Sequence, residues 1–296
     1  MNIVLPFLIV SCFLVYAQAF SQETESSIEV TANVINYATN TVKPLLASQP
    51  KQDRLSLLIK TSETLHDPET GIDLNRIEPK DFIIYDKLNS IKLGFLVTRK
   101  LTPRQKQIIE SWQAKYMRDN PANVFFAPSA DEIIKTKAAF GCSHYARAFM
   151  AVVKALGLID DPQDLRYVVS SKSDDYNRAL EQADADMTIN GHQFVLVKVN
   201  TQWIAINTSK SEYTIMPDGF SPDNIGPPHN IPVRFSSYPD ITFLLRKIGR
   251  DYNDDCADNS LPALMNISRS GDPECPDFKW DKFFSEAPAK RPQTDS

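Results

Sequence analysis

The sequence predicts an α+β fold in which a buried helix packs on an antiparallel sheet, after a mainly helical N-terminal region. Three features lead to this prediction. Apolar residues follow helical spacing through Cys142–Gly157. Two largely apolar segments, His192–Val199 and Gln202–Asn207, are joined by a short Asn-Thr turn, as in a β-hairpin of a sheet covered on both faces. The segments before residue 120 show helical patterns instead.

The N-terminal region, residues 20–120, is predicted to contain three helices. The spacing of Val30, Val34, Ile35 and Tyr37 indicates the first, in the early part of this region. The second spans Arg54–His66, and an Asp-Pro pair follows it. A Thr-Pro pair supplies the N-cap and first helical residue of the third, Thr102–Met117. Ser90–Thr98 is a strand or a short buried element. This region contains no recognisable catalytic cluster.

Residues 121–250 are predicted to form the core that carries the chemistry. Ser129 opens a short capped helix, and the helix Cys142–Gly157 follows it. Arg166–Ser170 is predicted as a strand that precedes the hairpin, and Ile241–Ile248 as a further ordered element. The core is therefore expected to combine one central helix with several strands.

The composition is that of a soluble protein with a sizeable core. The chain has 296 residues, of which 42% are hydrophobic and 23% charged, and its formal net charge is −5. It contains no dense run of Lys and Arg, so nothing supports a nucleic-acid partner. The turn-rich segment Pro217–Asn230 favours a protein or peptide substrate that binds under loops.

The first twenty residues differ from the rest of the chain. Ile3–Phe20 is nearly all apolar and uncharged, and Ala17–Ala19 has the small-x-small pattern of a signal-peptidase site. We therefore predict that residues 1–19 are a signal peptide and that the protein is exported, periplasmic or secreted, without stable membrane association after cleavage. An uncleaved membrane anchor is an alternative. A lipoprotein with lipidated Cys12 is another, although apolar residues follow this cysteine directly.

The cysteines divide into a late pair and one odd thiol. Cys256 and Cys275 lie in a C-terminal extension, residues 251–296, whose last ten residues are predicted to be a disordered tail. In an oxidising compartment this pair can close a loop of about 20 residues, a link worth ~3 kcal/mol. Cys142 then remains as an odd thiol, which in an exported protein is either buried or reactive.

Cys142 stands where a helix begins, directly after Gly141. Unpaired backbone N–H groups and the helix dipole stabilise an anion there, which favours a thiolate. The backbone N–H of Cys142 can also face an oxyanion, and a glycine before it leaves room for a substrate backbone. Taken alone, a cysteine at a helix start is more often a small buried residue.

The hairpin predicts a partner for this thiol. If Asn200-Thr201 is the turn, Val197 pairs with Ile204, and His192 and Asn207 lie on one face of the sheet within hydrogen-bonding reach. An acceptor on one imidazole nitrogen leaves the other for the thiol. A register slip of one residue would place the two side chains on opposite faces.

These segments together resemble the transglutaminase-like superfamily. Asp131–Gly157 resembles the nucleophile helix of that family, Arg166–Val169 the strand that follows, and Gly191–Val197 its histidine strand. Gln202–Thr208 resembles the strand that ends in the family's acidic residue followed by Thr. The likeness covers under a third of the chain. It implies a papain-like core with Cys142 as nucleophile, His192 as base and Asn207 as orienting residue.

The resemblance implies a cysteine-dependent enzyme that acts on an amide or peptide bond through a thioester, without a cofactor. Asn207 stands where the family usually has Asp, although Cys-His-Asn sets also function in papain-like proteases. Hydrolysis is favoured because water is always in excess. Acyl transfer to an amine, a catalytically silent binding module and an anchored structural envelope protein remain alternatives.

Other candidate sites carry less weight. His144, two residues into the helix, points away from Cys142 at helical spacing. Asp251–Asp255 resembles a calcium loop but lacks its Gly and terminal Glu. No zinc-ligand spacing occurs, and Asn266 opens a glycosylation sequon that matters only in a eukaryotic secretory pathway. We therefore predict no metal.

Overall fold

A computed structural model describes residues 30–48, 53–76, 82–84, 95–97, 101–116, 128–182, 191–223 and 231–249. The predicted signal peptide, the Cys256–Cys275 pair, the tail and the sequon lie outside these residues. The chain has the α+β fold that the sequence predicts. No helix among the described residues is long and apolar enough to cross a membrane.

Helices dominate the N-terminal region and surround one buried helix of the core. The buried helix is α6 (Cys142–Ala155). In chain order, the helices of the described residues are α1 (Ala32–Tyr37), a π-helical segment (Ala38–Val42), α2 (Lys43–Ala47), α3 (Arg54–Leu65), α4 (Pro103–Tyr116), α5 (Ala130–Thr136), α6, a short 3₁₀ helix (Pro162–Asp164) and α7 (Ser173–Gln182).

The strands form two antiparallel sheets. The small sheet pairs β1 (Phe82–Ile84) with β2 (Phe95–Val97). Strand β2 lies within Ser90–Thr98, which the sequence predicts as a strand or a short buried element, whereas β1 is not predicted. The large sheet has the order β6-β5-β4-β3-β8-β7. Its strands are β3 (Leu165–Lys172), β4 (Gly191–Val199), β5 (Gln202–Asn207), β6 (Glu212–Ile215), β7 (Pro232–Val233) and β8 (Phe243–Gly249).

Local sequence signals explain where the helices begin and end. The Asp53 side chain accepts a hydrogen bond from the Ser56 N–H at the start of α3. Ser129 and Glu132 form a reciprocal capping box at α5. Helix α6 stops just before Gly157, whose φ of 65° lies in the left-handed region that favours glycine.

Helix α6 is the centre of the core. Every residue from Ser143 to Val153 is buried, because α6 packs on the sheet at β4 and is covered by α1, α3 and α5. The sheet face beneath it is apolar, as are the residues of α6 that follow helical spacing. This core includes Phe149, Met150, Val153, Tyr167, Val169, Val195, Val197, Ile204 and Ile206.

The other face of the large sheet is covered as well. Side chains from β3, β4, β5 and β8 meet loop residues that follow β6 and β7, such as Met216 and Phe235. Consequently alternate residues of β4 contribute to different layers, with Val195 toward α6 and Phe194 away from it. This alternation determines how the two halves of the candidate site approach each other.

Candidate active site

Cys142 is the first residue of α6, and its thiol meets the start of β4. Gly141, the N-cap residue, has an extended backbone with φ of −170°. The Cys142 thiol donates to Oε1 of Gln193 at 2.7 Å, and the backbone N–H of Gln193 donates to Sγ at 3.4 Å. The residue is partly exposed, so the sulfur lies at a boundary between core and solvent.

The sulfur occupies a gap between two neighbouring strands. Regular pairing of β4 with β5 ends at Val195 and Ile206, and the same register would next pair Gln193 with Thr208. The Thr208 carbonyl is engaged elsewhere, because His66 Nε2 lies 2.8 Å from it. The Gln193 N–H, which would otherwise continue the ladder, therefore points to Cys142 Sγ.

His66 comes from the N-terminal region and is itself held in place. Its Nδ1 lies 3.0 Å from Oδ2 of Asp73, and its ring stacks on Tyr145 with centroids 4.5 Å apart. Tyr145 O–H donates to the same carboxylate. Burial opposes ionisation of Asp73, but the hydrogen bonds from His66 and Tyr145 hold its pKa below the usual range. The N-terminal helices thus shape the strand gap.

His192 and Asn207 form a buried hydrogen-bonded pair. The strand register is the one that the sequence predicts, with Val197 opposite Ile204. Nε2 of His192 lies 2.8 Å from Oδ1 of Asn207, and the two residues are 5% and 0% exposed. The hydrogen bond that the sequence predicts between them is therefore present.

A carboxylate determines which way the Asn207 amide points. Asn207 Nδ2 donates to Oε1 of Glu212 at 2.7 Å. An ionised carboxylate only accepts, so Oδ1 of Asn207 must face His192, and it also accepts from the Ser209 hydroxyl at 2.9 Å. The proton between the two side chains consequently belongs to His192 Nε2. The neutral ring then carries its lone pair on Nδ1, the nitrogen that a base uses.

Four aromatic rings surround the His192 imidazole on the face away from α6. The nearest ring centroids, those of Phe243 and Tyr238, lie 5.1 Å and 5.6 Å from it. Burial lowers the pKa of His192 to about 4, against a smaller opposing effect of the Asn207 hydrogen bond. The ring is therefore neutral at pH 7. The other two rings are Phe194 and Phe235.

This shift predicts a stability change at acid pH. The unfolded chain binds a proton at His192 near pH 6.5 and the folded chain near pH 4, so stability falls as the pH drops through that window, by roughly 3 kcal/mol in all. Glutamine can still donate to Asn207 but does not titrate. The difference in unfolding free energy between wild type and His192→Gln, measured in urea at a series of pH values, should shrink on acidification. If the difference in unfolding free energy does not change with pH, the His192 pKa is not lowered in the folded protein and this prediction is wrong.

The structure brings all three predicted site residues to one end of the sheet. Cys142 Sγ contacts the backbone nitrogen of Gln193, which is bonded directly to the carbonyl carbon of His192. Tyr238 connects them further: its ring packs on His192, and burial together with the neighbouring Cys142 charge raises its pKa. Cys142 approaches from the α6 side, whereas the His192–Asn207 pair lies on the opposite face, and the strand gap joins the two.

Several residues of the site lie beyond the sequence prediction. Glu212 pairs with Asn207 across the β5–β6 hairpin, and a polar turn between them is the signal that could have located it. Gln193 is adjacent to His192 but becomes part of the site only because the strands separate there. Tyr238 arrives on a loop that carries no sequence signal.

His144 has a structural role. It is fully buried, its Nδ1 accepts the backbone N–H of Phe140 at 3.1 Å, and its ring packs edge-on against Trp112. Among the described residues, no group of three or more His, Cys, Asp or Glu side chains could hold a metal ion.

Comparison with known proteins adds no family assignment. The chain matches no protein-family model, no curated protein and no solved structure at a significant level.

Proposed function

We propose that the protein is an exported cysteine-dependent enzyme with a papain-like, transglutaminase-like core. In this proposal it acts on an amide or peptide bond through a thioester and releases the product by hydrolysis. One observation carries the proposal: a partly exposed thiol at the start of a buried helix accepts the backbone N–H of Gln193, the residue that follows His192 of a buried His192–Asn207 pair. The pattern has the three parts of a nucleophile, base and orienting group.

The surroundings of Cys142 favour a thiolate. The N–H groups of the first turn of α6 and the helix dipole stabilise negative charge on the sulfur. The backbone N–H of Gln193 adds a direct hydrogen bond to it. The Gln193 side chain, which accepts from the thiol in the resting state, must rotate or exchange its amide ends when the sulfur is ionised.

In this proposal His192 takes the thiol proton. With Nε2–H donating to Asn207, Nδ1 is the unprotonated nitrogen, and the neutral ring is the form that can act as a base. Burial keeps the ring neutral down to about pH 4, but it also makes the ring a weaker base, so transfer of the thiol proton requires groups that stabilise the imidazolium. Asn207 fixes the ring, as the corresponding residue does in Cys-His-Asn enzymes.

The reaction then follows in two stages. The Cys142 sulfur bonds to the substrate carbonyl carbon while its proton passes to His192, and the Cys142 backbone N–H faces the oxyanion. The C–N bond breaks, and His192 returns the proton to the leaving amine, which leaves a thioester. Water, deprotonated by His192, attacks the thioester and releases the acid and the thiol.

Hydrolysis is the preferred outcome because water needs no dedicated subsite, whereas an amine acceptor must be positioned to compete. Acyl transfer is the second reaction compatible with the same thioester. A catalytically silent binding module that kept the fold is the competing class, and it requires an unreactive Cys142. The substrate in this proposal is a protein or peptide outside the cytoplasm.

The test is the pH dependence of Cys142 alkylation, resolved by peptide mass spectrometry. Iodoacetamide should modify native Cys142 rapidly at a pH well below the free-thiol pKa of about 8.5. Cys256 and Cys275 of the same sample serve as internal comparators after reduction. A fluorescent peptide library should then report hydrolysis that is absent in Cys142→Ser.

The same labelling experiment distinguishes the cysteine-dependent enzyme from the catalytically silent binding module. Labelling of Cys142 only after denaturation would identify a core cysteine, and the enzymatic proposal would then fail. Labelling in the native state with an ordinary thiol pH profile would indicate an exposed but unactivated cysteine, which also contradicts the proposal.

A further inference from the structure

We propose that Glu212 is a fourth functional residue of this site, a positioning residue that supplies through Asn207 the negative charge that an Asp would otherwise provide. The catalytic role of Glu212 in this inference rests on the proposed function. Its structural part, that Glu212 controls the charge state and tautomer of His192, can be tested without any substrate.

An unbroken series of hydrogen bonds joins the carboxylate to the imidazole. Glu212 Oε1 accepts from Asn207 Nδ2 at 2.7 Å, and Asn207 Oδ1 lies 2.8 Å from His192 Nε2. Asn207 is fully buried and His192 nearly so, which keeps water away from the link between them, and the link from Asn207 to Glu212 is partly buried. A hydrogen-bond series in such surroundings transmits charge more effectively than it would in water.

The carboxylate is held in place by the loop that follows β7. Ser236 Oγ donates to Oε2 at 2.5 Å, the Ser237 backbone N–H donates at 2.9 Å, and the Ser237 hydroxyl donates to Oε1. Although burial opposes ionisation, these hydrogen bonds keep the pKa of Glu212 below its usual range. A charged carboxylate is therefore maintained directly behind Asn207.

The negative charge of Glu212 raises the pKa of His192 through its electrostatic interaction with the ring. Burial is the largest influence on the His192 pKa and lowers it, Lys172 and Lys210 also lower it, and Glu212 raises it together with the Asn207 hydrogen bond. Glu212 therefore raises the His192 pKa against the lowering effects of burial and of both lysines. Without it, the imidazolium that must form when His192 takes the thiol proton would lose that charge stabilisation.

This arrangement explains why residue 207 is Asn. An Asp at this position would face Glu212 at hydrogen-bond distance, and two carboxylates that close cannot both remain ionised. Asn instead donates to the carboxylate with one end of its amide and accepts from the imidazole with the other. The negative charge therefore lies one residue further from the base than in a Cys-His-Asp set.

A charge exchange between residues 207 and 212 tests the proposal. Glu212→Gln removes the charge, whereas the double variant Asn207→Asp with Glu212→Gln moves it next to His192. The pKa and tautomer of His192 are read from side-chain nitrogen NMR spectra, assigned with His192→Gln, and the alkylation rate of Cys142 is measured on the same samples. Glu110→Gln, which removes an exposed carboxylate from α4, is the matched control.

We expect the pKa of His192 to fall by about one unit in Glu212→Gln and Cys142 alkylation to slow about tenfold. The double variant should restore both, and Glu110→Gln should match the wild type. An unchanged His192 pKa in Glu212→Gln, or a double variant as impaired as the single one, would overturn the proposal. If wild-type Cys142 fails to react, the proposed function fails, yet the order of His192 pKa values still decides the role of Glu212.

Discussion

Replacing His192 with alanine is expected to slow both Cys142 alkylation at neutral pH and peptide hydrolysis by about 10²–10⁴-fold. The physical reason is that the substitution removes the group that accepts the thiol proton and returns it to the leaving amine. The thiol would then react with the pH profile of an ordinary cysteine. Alkylation rates and kcat/KM measured from pH 5 to 9 check this expectation.

His192 also fills space among four aromatic rings, so a control must separate packing from chemistry. His144→Ala is suitable, because this histidine is also buried, makes a hydrogen bond and packs edge-on against the aromatic rings of Trp112 and Phe140. It should lower the free energy of unfolding by about 1–3 kcal/mol, through a lost acceptor and a cavity, with a rate change below about threefold. Equal rate losses in both variants would mean that the His192 effect is structural.

Replacing Gly191 with alanine is expected to damage the fold and the site together. A Cβ on Gly191 would lie 2.0 Å from the Ser170 carbonyl oxygen, so β3 and β4 would have to separate. Ser170 is the partner of His192 in the register, and its hydroxyl donates to the His192 carbonyl at 2.6 Å. We expect a loss of about 3 kcal/mol or more in unfolding free energy, measured in urea, and much slower alkylation of Cys142.

Gly141→Ala is the matched control for that substitution. A Cβ there has no neighbour within 4 Å, and the extended backbone suits any residue. The unfolding free energy should change by less than about 1 kcal/mol, and alkylation by a small reagent should be unaffected. Hydrolysis of a peptide should still fall about tenfold, because the methyl group occupies the approach to the thiol. Equal stability losses at both glycines would contradict the close contact at Gly191.

The parts of the fold that sequence predicts well are those with strong local signals. The two-residue Asn200-Thr201 turn determines the register of the hairpin, and with it the face shared by His192 and Asn207. The apolar periodicity of α6 and the capping box of α5 locate both helices. These signals depend only on neighbouring residues, so they can be read from a single sequence.

The elements and site residues that the sequence does not predict depend on tertiary contacts. Helix α7 has few apolar residues, β6 has only four residues and β7 only two, so none has an apolar pattern long enough to identify it. The role of Gln193 depends on a gap opened by His66, which lies far away in the chain. Likewise, Tyr238 enters the site through the loop between β7 and β8, whose course depends on its contacts with the sheet.

The strand gap has a consequence for how the protein folds. The hydrogen bond from His66 to the Thr208 carbonyl joins residues that are 142 positions apart, whereas the His192–Asn207 link spans 15. Closing a long chain segment costs more entropy than closing a hairpin, so we expect the long-range contact to form late. The hairpin and α6 can therefore assemble while the sulfur still lacks its final surroundings. Under the proposed function, the strand gap that holds the nucleophile is therefore completed only when the N-terminal helices dock.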